Sequence, residues 1–101
     1  MFKGGMVEMM KKAKQMQENM EAAKEEIKLI SCEGESASGA IKIKISGDYK
    51  ITNISIDGTL LSDKEMLEDL LMLAINNASS KVSLISKEKL KDLTGGLNLP
   101  F

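Results

Sequence analysis

Apolar and polar residues alternate along the first third of the chain with the period of an α-helix. Between residues 6 and 30 the apolar positions recur in steps of three and four, which predicts a long helix with one narrow apolar seam. The seam consists of Met6, Met9, Ala13, Met16, Met20, Ala23, Ile27 and Ile30. A narrow seam on so long a rod needs cover from a second helix of this chain or from a second chain.

The middle of the chain changes to a period of two, which predicts β-strands. The clearest strand covers 41–46, where isoleucines alternate with lysine and serine; residues 31–36 read more weakly as a strand. Gly47 and Asp48 predict a hairpin turn into a third strand over 49–56. The inward set of that strand is Tyr49, Ile51, Ile54 and Ile56. Because this set changes phase near Thr52 and Asn53, we expect a β-bulge there.

A second long helix is predicted to follow residue 62. Ser62 and Glu65 have the spacing of a capping box, and Gly95-Gly96 predicts the end of the helix. One of the two asparagines at 76–77 is expected to bond across a helix or subunit contact. The first half of the helix is broadly apolar and should lie on the sheet, whereas the second half should project beyond it. The apolar face consists of Leu67, Leu70, Leu71, Ala74, Ile75, Ala78, Val82 and Ile85.

These elements predict an α+β fold with the order helix, three-stranded antiparallel sheet, helix (αβββα). We expect one domain over residues 1–101, with flexible ends at 1–5 and 95–101. One covering helix leaves edges of a three-stranded sheet open, so the pattern favours a symmetric homodimer.

The composition argues against catalysis. The chain has no histidine and one cysteine, Cys32, so neither a Cys/His metal cluster nor a histidine-assisted nucleophile can be assembled. We therefore expect no enzyme, no cofactor, no metal and no small-molecule substrate. Cys32 reads as a small core residue, and a lone cysteine without a signal segment fits the cytoplasm. No stretch reaches the apolar length of a membrane span.

Charge points to a different class of partner. The chain has a net charge of −1, but residues 1–16 hold four lysines and one glutamate, and residues 81–91 hold four lysines and one glutamate. If the two helices run antiparallel, 6–15 lies beside 81–91 and both basic blocks fall at one end of the molecule. The candidate DNA contacts are Lys3, Lys11, Lys12, Lys14, Lys81, Lys87, Lys89 and Lys91.

The residue types that are absent narrow the mode of binding. Without arginine the chain has no fork for guanine, and with two Phe and one Tyr it has no stacking platform. The expected partner is therefore double-stranded DNA, bound through its phosphates in a strongly salt-dependent manner. Two alternatives stay open. In the first alternative, the lysines do not bind DNA and only keep the helix ends soluble. In the second, the Met-rich seam is not core or a dimer seam but forms a protein-interaction or chaperone-like clamp.

Several motifs, in this order and spacing, resemble the YbaB/EbfC family of bacterial nucleoid-associated proteins over nearly the whole chain. They are Met-Met-Lys-Lys-Ala-Lys-Gln-Met-Gln at 9–17, Gly34-Glu35-Ser36, the Lys42 strand with Gly47, Ile56-Asp57, 65–70, 74–78 and Gly95-Gly96 with Leu99-Pro100. The resemblance implies a tweezer-shaped homodimer with a β-rich body and protruding helices. It also implies DNA binding that alters DNA conformation, a cytoplasmic location on the nucleoid and a role in nucleoid organisation and gene regulation.

Overall fold

In the computed structural model of the protein, two long helices flank a three-stranded antiparallel sheet with the strand order β1-β2-β3. The structure describes residues 2–94, and the side chains of residues 5–92. The elements are α1 (Phe2–Lys28), β1 (Ser31–Ser36), β2 (Ile41–Ser46), β3 (Ile51–Ile56) and α2 (Lys64–Thr94), with short 3₁₀ helices at Ala37–Gly39 and Gly58–Ser62. The predicted αβββα order is confirmed.

The central strand β2 supplies the most deeply buried side chains of the core. Its three isoleucines are fully buried, while Lys42 and Lys44 point to the opposite, solvated face. Helix α2 packs across β1 and β2 and buries Ala74, Ala78 and Val82 against those isoleucines. Gly34 of β1 permits this close approach, because a Cβ at that position would lie 2.7 Å from the Ala78 Cβ.

Strand β3 follows the prediction in register but not in burial. Lys44 pairs with Asn53 and Ile45 with Ile51, so Thr52 is the extra residue and the predicted bulge is confirmed. The predicted inward set is wrong in two respects, because all of β3 is exposed and Tyr49 lies in the turn before β3 rather than in the strand. Its isoleucines share a face with the buried residues of β2, but α2 covers only β1 and β2. A single helix is too narrow for three strands, which leaves this part of the face uncovered.

Both helices begin at a different residue from the one predicted. Helix α1 begins at Phe2 and includes Gly4 and Gly5, which the sequence placed in a lead before the helix. At α2 the N-cap is Asp63 rather than Ser62, since an Asp63 carboxylate oxygen accepts from the Met66 amide at 3.1 Å. The Ser62 hydroxyl instead donates to the Thr59 carbonyl inside the preceding 3₁₀ helix. Helix α2 continues to Thr94, and the predicted stop and tail at 95–101 lie outside the described residues.

The second half of α2 leaves the sheet and packs beside the end of α1. Ala23 and Ile27 are buried there, and the Lys89 Nζ lies 3.0 Å from the Glu26 Oε2. Met16 and Met20 are partly covered, whereas every described side chain from residue 5 to residue 15 is exposed. The molecule is elongated, with a long dimension of 74 Å, because α1 continues past the end of α2.

Candidate nucleic-acid interface

The part of α1 beyond α2 forms an isolated projection, here called the arm (residues 5–15). It is a continuous helix about 16 Å long, at 1.5 Å rise per residue. Lys11, Lys12 and Lys14 stand on it with exposed ammonium groups, and no ion pair within the described part of the chain involves them. At 100° per residue, Lys11 and Lys14 lie on the side opposite the Met seam, and Lys12 flanks it. The three free cations of the arm therefore span roughly 160° of its circumference, mostly on the side away from the seam.

The structure corrects the predicted register between the two helices. The expectation placed residues 6–15 beside 81–91, but the residue beside Lys89 is Glu26. Helix α1 lies beside α2 only near its own C-terminal end, so among residues 2–94 no helix lies beside the arm. The two basic blocks still project from the same end of the sheet. The basic block on α1 lies farther from the sheet than the basic block on α2.

Two residues of α2 bind the free edge of β1. The Lys81 Nζ donates to the Glu33 carbonyl at 2.7 Å, and the Asn77 Oδ1 accepts from the Glu35 amide at 3.2 Å. Ser36 adds a third link, because its hydroxyl donates to the Leu70 carbonyl at 2.6 Å. Asn77 thus makes the cross-element bond predicted for the asparagine pair. These contacts satisfy backbone groups of an edge strand that would otherwise attract another chain.

The remaining predicted lysines differ in their availability. Lys87 is exposed, and within the described residues it has no ion-pair partner, whereas Lys91 interacts with another group of the chain. Lys89 is held by Glu26. Lys3 lies in the first turn of α1, but its side chain is outside the described residues. The structure therefore brings Lys11, Lys12 and Lys14 together and separates them from the α2 set.

Sequence reasoning missed an exposed apolar face on β3. Ile51, Ile54 and Ile56 are 37–48% exposed, and they adjoin the open edge of the sheet. The alternation of the strand indicated which way these residues point, but it carried no information on how far α2 extends. The exposed face could have been predicted from the number of predicted elements, since one helix cannot cover three strands.

Two carboxylates near this face are held ionised by their own turns. The Thr59 amide and hydroxyl both donate to Asp57 at 2.9 Å and lower the pKa of its carboxyl. A hydrogen bond from the Ser46 hydroxyl, and then the nearby Lys50, lower the pKa of Asp48. Asp57 is therefore the N-cap of the 3₁₀ helix Gly58–Ser62.

The described residues contain no group of three or more metal-ligating side chains placed to hold an ion. No helix within residues 2–94 has the length and apolar character needed to cross a membrane.

The family model of the YbaB/EbfC DNA-binding family matches residues 2–97. The chain belongs to that family. The resemblance inferred from the motifs is thereby confirmed, and the family is DNA-binding and nucleoid-associated.

The fold is also found in a solved structure. The crystal structure of the uncharacterized protein HP0035 from Helicobacter pylori superposes with a TM-score of 0.73 at 24% sequence identity. The match covers 91% of this chain and 92% of the other. At this identity the likeness shows the shared αβββα fold and nothing about activity.

Proposed function

We propose that this family member binds double-stranded DNA as a homodimer, chiefly through phosphates contacted by Lys11, Lys12 and Lys14. The observation that carries the proposal is the arm itself, which within the described residues has no helix beside it and whose three lysines form no ion pair there. Lysine ammonium groups act as point charges toward phosphate oxygens, and such contacts release counterions from the duplex. Lys3 and Lys87 are proposed as additional contacts. Lys81 already bonds to the Glu33 carbonyl, Lys89 to the Glu26 carboxylate and Lys91 interacts with another group of the chain, so we propose weaker roles for these three.

We propose that self-association occurs through the β3 face. Three isoleucines there are exposed beside an open strand edge, whereas the β1 edge is occupied by α2 side chains. Pairing two copies over this face removes apolar area from water at about 25 cal/mol per Å². A dimer formed in this way carries two arms, which can contact one duplex at two places and alter its conformation. We place this activity on the nucleoid in the cytoplasm, with a role in DNA organisation and gene regulation and without enzymatic chemistry.

The arm is tested by replacing Lys11, Lys12 and Lys14 with glutamine. The matched control replaces Lys42, Lys44 and Lys64, which are exposed on the body, so both variants lose the same charge. We expect the slope of log affinity against log salt to become shallower by about 2.7 per protomer in the arm variant, at roughly 0.9 per phosphate contact. Equal slopes for the arm variant and the control on random-sequence duplex would remove the arm from the proposal.

The dimer is tested by Ile54→Lys, with Ser55→Lys as the control on the opposite, solvated face of the same strand. A charge on the β3 face should yield monomers by light scattering, whereas Ser55→Lys should keep the mass of the parent. An Ile54→Lys protein that remains dimeric would show that copies associate elsewhere.

The Met-lined clamp is the second candidate, because Met6, Met9 and Met10 are 65–73% exposed on the arm. Such adaptable side chains suit apolar partner segments. Binding of that kind changes little with salt or is strengthened by it, whereas phosphate binding weakens steeply. The salt titration above therefore separates the two functions.

A further inference from the structure

The turn between β2 and β3 lies against the C-terminal end of α1. This turn, here called the hairpin tip (residues 47–50), is anchored by Gly47, whose amide donates to the Ile30 carbonyl at 2.9 Å. Gly47 has no room for a Cβ, because that atom would meet the backbone of Ile27. The opposite turn of the sheet, Ala37–Gly39, lies at the far end, beside the first half of α2. The hairpin tip is therefore the part of the sheet that is nearest to the arm.

Tyr49 in this tip has an unusual backbone and an available side chain. Its φ of 62° is in the left-handed region, which a bulky residue rarely occupies. Its side chain is 54% exposed, and within the described residues its hydroxyl has no hydrogen-bond partner. A glycine would adopt this conformation without strain, so the fold gives no reason for a tyrosine. Residues held in such conformations are concentrated at functional sites, where the side chain is needed.

The charges of the tip cancel each other. Asp48 accepts a hydrogen bond from Ser46, and its second oxygen lies 3.6 Å from the Lys50 Nζ. The pair leaves the tip without net charge. A duplex that reaches it is therefore neither attracted nor repelled strongly, and the group offered to it is the Tyr49 hydroxyl. Tyrosine hydroxyls are among the side chains that bond phosphate oxygens in protein–DNA complexes.

We propose that the Tyr49 hydroxyl donates to a backbone phosphate of the duplex held by the arm, which makes the hairpin tip a third contact point. The inference rests on the proposed function. The tip contacts Ile27, a residue of the Met seam, and Lys12 flanks that seam fifteen positions earlier, a rise of roughly 22 Å. A duplex lying along this flank of α1 can thus meet the tip at one end and Lys12 at the other. Tyr49 sets how deeply the duplex sits, while the lysines supply the charge.

The test compares Tyr49→Phe and Tyr49→Gly with the parent on random-sequence duplex DNA across ionic strengths. Loss of one hydrogen bond should weaken binding roughly three- to tenfold in Tyr49→Phe. The salt slope should stay that of the parent, because no charge is removed. Tyr49→Gly should weaken binding at least as much, while its melting temperature stays equal to the parent's or rises because the left-handed strain is relieved.

The control is Ser38→Gly, which relieves a similar backbone conformation (φ 56°) at the other end of the sheet. It should leave DNA affinity unchanged. Unchanged affinity in both Tyr49 variants, with a parent whose binding depends on the arm lysines, would overturn the inference and leave the proposed function intact. A parent that does not bind duplex DNA would overturn both. Dissociation of the dimer by Tyr49→Gly, measured by light scattering, would assign Tyr49 to the subunit contact and would also overturn the inference.

Discussion

The glycine at position 34 sets the distance between α2 and the sheet, and replacing it by alanine should destabilise the protein strongly. A Cβ built on Gly34 lies 2.7 Å from the Ala78 Cβ and closer still to the backbone atoms Ala74 O and Ala78 N. Carbon atoms in ordinary contact are about 3.5–4.0 Å apart, so α2 must move away by roughly 1 Å. Because the nearest atoms are backbone, no change of rotamer avoids this movement.

The expected cost can be worked from what the movement disturbs. Overpacking of a close-packed core costs about 1–3 kcal/mol, and the site lies among fully buried residues. The same shift lengthens the bonds from Ser36 to Leu70 and from Asn77 to Glu35, each worth about 1 kcal/mol. We therefore expect Gly34→Ala to lower the free energy of unfolding by about 3 kcal/mol or more.

Urea denaturation followed by circular dichroism measures this change. The control is Gly58→Ala, since a Cβ at Gly58 meets nothing within 4 Å. That substitution should be neutral or stabilise the protein by up to about 1 kcal/mol, because it restricts the unfolded chain. A Gly34→Ala protein as stable as the Gly58→Ala protein would refute the argument that this glycine exists to admit α2.

Two further pairs of substitutions test contacts that the structure shows and the sequence analysis did not predict. Asp63→Ala should lower the free energy of unfolding by about 1 kcal/mol, whereas Ser62→Ala should change it much less, because Asp63 caps α2; urea melts of the two variants would show the reverse if the capping box forms instead. Lys81→Met should cost about 1 kcal/mol of stability because the Glu33 carbonyl loses its donor, whereas Lys87→Met should not. Equal urea midpoints for Lys81→Met and Lys87→Met would contradict the edge-binding role of Lys81.

Local patterns were sufficient for the elements and for the register of the sheet. The alternation of Ile41, Ile43 and Ile45 with polar residues predicts a strand that is buried on one face, and a phase slip at Thr52 predicts a bulge. Each of these inferences uses residues that are adjacent in sequence, where the backbone geometry imposes the period. The same holds for the apolar face of α2, which is buried at Ala74, Ala78 and Val82.

Contacts between distant residues were not accessible in the same way. Lys81 bonds to Glu33 across 48 positions and Asn77 to Glu35 across 42, and neither distance leaves a periodic signal. A seam of methionines likewise says that a helix has an apolar side but not where its neighbour ends. The predicted pairing of 6–15 with 81–91 failed for this reason, since it assumed that the two helices end together.

The position of α2 links the stability of the body to the placement of the arm. Its first half covers β1 and β2, and its second half packs beside the end of α1, where the Lys89–Glu26 pair links the two helices. A rigid helix transmits a shift of one half to the other half. A displacement of α2 at Gly34 should therefore also move the C-terminal end of α1, and the arm with it. Destabilising changes in the α2–β1 contact should therefore weaken DNA binding even though they remove no lysine. A Gly58→Ala change should leave DNA binding unaltered, because the added Cβ meets nothing within 4 Å and does not displace α2.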